Sequence, residues 1–85
     1  MMYRVEFPDG DVIHTVDLRL VTVDWDGTEC TLADLFEADV VKVVAECRKG
    51  EVVYCPLCSS VLTVAKKSEE TTCQKCNKKI TIQVT

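Results

Sequence analysis

The sequence predicts an α+β protein that is mostly β: a small β-rich N-terminal part with one short helix, then a C-terminal part organised by cysteines. Three observations predict it. Apolar and polar residues alternate in "YRVEF" (3–7), "VLTVA" (61–65) and "KITIQV" (79–84), the period of a half-buried strand. "TLADLFEAD" (31–39) opens like a helix. Two Cys-x-x-Cys pairs, Cys55/Cys58 and Cys73/Cys76, stand fourteen residues apart.

Taken in order, Tyr3, Val5 and Phe7 fall on one side of the first strand, and Arg4 and Glu6 on the other. "PDGD" (8–11) is a turn signal, which implies a hairpin into a second strand near 12–16. Val16, Leu18 and Leu20 then share one phase, and Val21, Val23 and Trp25 the other. A bulge at Leu20–Val21, or a bend between two strands, accounts for the slip, and "DWDG" (24–27) ends the segment. The helix is placed near 31–38. Thr31 with Asp34 three residues on forms a capping-box-like start, with Asp in place of the usual Glu.

"VVKVVAECRKG" (40–50) admits two readings. As a continued helix, Leu32, Phe36, Val40, Val43, Val44 and Cys47 share a face, and Gly50 caps it. As a strand, Val41, Val43, Ala45 and Cys47 face a core, with "RKGE" turning into "VVYC". Four valines in five positions favour the strand, giving a short helix and then a hairpin.

A chain of 85 residues buries a modest fraction of its surface, and chains of this size often add a disulfide or metal staple. The start, "MMYRVEFPDG", has no basic segment followed by an apolar run, and no apolar run reaches the ~18 residues of a membrane span. The expectation is a cytoplasmic protein in a reducing compartment with no membrane partner, where paired cysteines read as metal ligands or redox groups. Charge divides unevenly. Residues 1–51 carry twelve acidic and five basic side chains, net −7, and residues 52–85 carry two and five, net +3. An acidic front and a basic tail suggest surfaces with different partners, although uneven halves also arise by chance in so short a chain.

Cys55, Cys58, Cys73 and Cys76 have metal-ligand spacing. A Cys-x-x-Cys turn aims two sulfurs at one ion, and two such turns close a tetrahedron. Zinc suits four thiolates at about 2.3 Å. The spacer, "SSVLTVAKKSEETT", has room for a strand, a turn and a strand back. Knuckles of this kind place a left-handed residue just past the second Cys. Asn77 suits that conformation and Ser59 suits it less, while Pro56 fixes one dihedral in the first turn.

On these residues the segment 52–85 resembles the zinc-ribbon family, in which two knuckles are joined through short β-hairpins. The resemblance divides the chain into an acidic β-rich part, 1–51, and a zinc ribbon, 52–85. It implies one structural zinc held by four thiolates. It also implies a setting, since ribbons recur in transcription factors, RNA polymerase subunits, ribosomal proteins and as additions to enzymes. Metal binding supplies roughly 10–16 kcal/mol in zinc-finger peptides, so residues 52–85 are expected to take shape only around the ion. A rubredoxin-like iron site would use the same four cysteines, but this chain lacks a glycine after each pair and an aromatic-rich core. A dithiol redox motif would need one exposed pair at a helix start.

The other candidates point away from catalysis. Cys30 and Cys47 read as small buried apolar residues, with a reversible disulfide or a second metal site including His14 as the sharper alternative. No Ser–His–Asp arrangement, phosphate loop or dinucleotide motif is present, so no enzyme is expected. Lys66, Lys67, Lys75, Lys78 and Lys79 make the tail basic enough to meet phosphates. The tail has no Arg for bidentate base reading, so any nucleic-acid contact is expected to be non-specific. Solvated lysines that protect a strand edge are the plainer reading. The expected function is binding: a protein–protein adaptor or regulator acting on transcription or another nucleic-acid machine, RNA polymerase among the possible partners. Direct nucleic-acid binding and a scaffolding subunit of a larger enzyme are the alternatives.

Overall fold

The first hairpin forms where the alternation places it. The computed structural model describes residues 1–85. Strand β1 (Met2–Glu6) pairs antiparallel with β2 (Val12–Thr15), and Gly10, at φ +97°, closes the turn between them. Its positive φ is costly for any side chain. Tyr3 and Val5 point into the core, while Arg4 and Glu6 face outward.

Of the two readings of the next segment, the bulged strand is not formed and the bend between two strands is. Leu18–Leu20 form one turn of 3-10 helix rather than a strand with a bulge. The Asp17 carboxylate accepts the Arg19 backbone N–H (2.9 Å) and guanidinium (3.1 Å), a local bond that competes with strand pairing. The proposed shared face of Val16, Leu18 and Leu20 therefore does not exist. Leu18 is fully buried, whereas Val16 and Leu20 are 68 % and 77 % exposed. "DWDG" ends the strand as expected, at Trp25. It turns β3 (Thr22–Trp25) into β4 (Thr28–Thr31), with Asp26 and Gly27 at φ +54° and +78°. Two successive positive-φ residues match the twist of a two-residue hairpin.

Helix α1 (Leu32–Glu37) carries the full capping box. Thr31 accepts the Asp34 N–H, and the Asp34 side chain accepts the Thr31 N–H. Its face of Leu32, Leu35 and Phe36 is buried. The ambiguous stretch is strand: β5 (Lys42–Cys47) directs Val43, Ala45 and Cys47 into the core, and Val41 just before it is also buried. The expected hairpin after it is absent. The turn at 48–51 leads to β6 (Val52–Tyr54), which pairs with β7 (Val61–Val64) in a separate two-stranded sheet. Both edges of β5 are already taken.

One of those edges belongs to the last strand. β8 (Glu69–Thr72) and β9 (Lys79–Val84) form a hairpin, and β9 runs parallel to β5, giving a five-stranded sheet in the order β2-β1-β5-β9-β8. The sheet thus joins strands from both sides of residue 51. Ile80 and Ile82 of β9 lie in the same cluster as Val5, Val43, Leu32 and Phe36. On the outer face Arg4 reaches Glu46 and Gln83, both at 3.0 Å, and so links β1, β5 and β9. The fold is mostly β with one short helix, and no helix is long and apolar enough to cross a membrane.

Because Ile82, on β9 beside Ala45 of β5, is 1 % exposed within the core cluster, Ile82→Ala should destabilise the whole protein by about 2–5 kcal/mol. Val16→Ala, on the surface, should fall within about 0.5 kcal/mol. Urea unfolding followed by circular dichroism measures both.

Candidate metal centre

Each Cys-x-x-Cys pair sits in the turn of a hairpin, and the two turns have the same backbone design. In the first, between β6 and β7, the Cys55 N–H donates to the Ser60 carbonyl (2.8 Å) and the Ser59 N–H to the Cys55 carbonyl (2.9 Å). In the second, between β8 and β9, the Cys73 N–H donates to the Lys78 carbonyl (2.9 Å) and the Asn77 N–H to the Cys73 carbonyl (2.8 Å). Ser59 and Asn77 are both left-handed, at φ +60° and +56°. The sequence singled out both positions, and the less suited serine adopts the conformation as well.

The two turns bring all four sulfurs together. The four Sγ atoms lie within 4.8 Å of one another, with Cys55–Cys76 at 3.9 Å and Cys58–Cys73 at 3.6 Å. Four thiolates at about 2.3 Å from a central ion stand about 3.8 Å apart along each edge of the tetrahedron. A disulfide would need about 2.05 Å, and all six cysteines are free. The residues present therefore fit a single tetrahedral metal ion. Cys55 and Cys73 are buried, Cys76 is half-buried and Cys58 is exposed, so an ion here would be held at the rim of the core.

Electrostatics favour a cation at this point. Burial pushes the Cys55 thiol up from its ordinary range. The Ser60 hydroxyl and backbone N–H hold Cys58 down to about 6, while Cys58, and then burial, push Cys76 up to about 12. Four thiols this close do not all ionise unaided, because each thiolate raises the cost of the next. A dication reverses that cost and displaces the protons. The Leu57 N–H, 3.5 Å from Cys55 Sγ, supplies a further donor to a thiolate.

The body of the protein fixes the two turns through contacts that the sequence alone did not identify. The buried Tyr3 hydroxyl donates to the Tyr54 carbonyl (2.8 Å), which holds the strand entering the first turn against β1. Burial raises the Tyr3 pKa, so the phenol stays protonated as a donor. Beyond the second turn, Lys78 Nζ bonds Asp39 Oδ1 (2.6 Å) and lies 5.8 Å from the centre of the Phe36 ring. Alternation of "YRVEF" marked Tyr3 as core-facing but carried no sign of its distant partner.

The remaining candidates lie elsewhere. Cys47 is in the core, where burial raises its pKa, and Cys30 is half-buried on β4, paired in register with Val23. His14 is on the outer sheet face, 3.3 Å from Glu46. The only group of three or more clustered potential ligands is the four-cysteine set, so the second metal site considered for Cys30, Cys47 and His14 does not assemble. Lys66, Lys67 and Lys75 are exposed and unpaired, whereas Lys78 is tied to Asp39 and Lys79 to Glu70. No protein-family model matches the chain, and comparison with curated proteins and with solved structures gives no significant match.

The positive φ of Asn77 yields a specific test. A β-branched residue is strained there by about 1–2 kcal/mol, so Asn77→Val should weaken metal binding about tenfold in a chelator competition. Asn77→Gly should change it by less than about threefold.

Proposed function

We propose that this is a non-enzymatic zinc-ribbon protein: a protein–protein adaptor or regulator acting on transcription or other nucleic-acid machinery in the cytoplasm. The observation that carries the reading is the set of four sulfurs at tetrahedral spacing. Zinc is the ion that best suits four thiolates in a reducing cell, and four thiolates leave no coordination position for a substrate. The metal then acts on shape, holding the β6–β7 and β8–β9 turns as one rigid unit, and activity lies in what the surfaces bind.

Resemblance to the zinc-ribbon family supplies the nucleic-acid-machine setting. The acidic front, net −7 over residues 1–51, supplies a face for a basic partner surface. A second reading, non-specific contact with nucleic acid, draws on Lys66, Lys67 and Lys75, which are exposed and without acidic partners.

Affinity capture with zinc-loaded protein, read by mass spectrometry, tests the adaptor function. A defined set of proteins from a nucleic-acid machine should be retained and then lost when acidic front residues are reversed to lysine. Capture of the same proteins by the reversed variants would contradict it. If instead RNA or DNA shifts at low salt, and the shift disappears in Lys66→Glu/Lys67→Glu/Lys75→Glu, the second reading replaces the first.

A further inference from the structure

Away from the cysteines, the turn of the first hairpin and strand β3 enclose a cleft of about 350 Å³. Its walls are apolar: Phe7, Val12, Val23 and Trp25 contribute to the lining. Phe7 and Trp25 meet at a tilted 39° with ring centroids 5.8 Å apart, and both also pack on the core. The aromatic walls are therefore fixed, while Val12 remains 47 % exposed beside them.

The rim carries three carboxylates, Asp9, Asp11 and Asp24. None of them forms an ion pair within the chain, although Arg4, Arg19, Lys78 and Lys79 each find an acidic partner elsewhere. Asp9 accepts the Asp11 N–H with one oxygen (3.0 Å). The cleft is thus an apolar slot under an uncompensated negative field, in the half of the chain that bears net −7.

That combination selects its occupant. A purely apolar group would leave the rim charges without partners, and a bare cation would make no use of the aromatic walls. An arginine side chain satisfies both, because its stem covers apolar surface and its planar guanidinium stacks on an aromatic ring while bonding carboxylates in a fork. We propose that this cleft receives an arginine from a basic segment of a partner protein. The inference takes its partner class from the adaptor function proposed above, and its test does not involve the metal centre or any cell extract, so either can fail alone.

Trp25 is the only tryptophan of the chain, so its emission reports directly on the cleft. The intact protein is titrated with a short blocked peptide of alternating arginine and glycine, and with a matched glutamate peptide. The arginine peptide should change Trp25 emission saturably and bind more weakly as salt rises, and the glutamate peptide should do nothing. In Asp9→Asn/Asp11→Asn/Asp24→Asn, checked for folding by circular dichroism, affinity for the arginine peptide should fall about tenfold. Asparagine keeps an oxygen to accept the Asp11-position N–H, and if the triple variant is misfolded, Asp24→Asn and the wild-type salt series decide. An absent or salt-independent response, equal affinity in the folded variant, or a response to calcium chloride alone would overturn the proposal.

Discussion

The structure depends on two short turns meeting at one point. Cys55, Cys58, Cys73 and Cys76 come from hairpins that share no strand, yet their sulfurs stand 3.6 and 3.9 Å apart across the gap. Neutral thiols gain little from such an approach, and thiolates repel. A central dication turns the same geometry into the strongest local interaction available to a chain of this size. The left-handed Ser59 and Asn77 are part of the same requirement, since each turn must reverse sharply to aim its pair inward.

What the turns hold is more than a C-terminal appendage. β9 leaves the second turn and enters the main sheet parallel to β5, bringing Ile80 and Ile82 to the core. Tyr3 anchors the approach to the first turn, and Lys78 anchors the exit from the second to the loop after α1. The proposed metal, the sheet and the helix therefore form one mechanical unit. An ion closing the four thiolates would act on the same strands that pack residues from both ends of the sequence.

Local chemistry was legible in the sequence and distant pairing was not. The cysteine spacing located the cluster, Asn77 located a left-handed turn, and Thr31 with Asp34 located the helix start within a residue. Those signals act over a few bonds. The hairpin between β3 and β4 is also written locally, in the Asp26-Gly27 turn that ends β3. The 3-10 turn at Leu18–Leu20 was hidden because alternation describes apolarity and is silent about the Asp17 side chain, which takes the backbone for itself. The partner of β5 could not be read from "VVKVVAEC" at all. The valine run marks a strand, while the choice of β1 and β9 as its neighbours is made by contacts far apart along the chain.

Chelation followed residue by residue in a ¹⁵N-¹H NMR spectrum tests the central claim most directly. With metal loss verified on the same sample, the account predicts that the signals of residues 52–85 collapse toward unfolded positions. It further predicts that β5 signals shift with them, because β9 is paired to β5. A metal-free, reduced protein whose spectrum matches the starting one would contradict it.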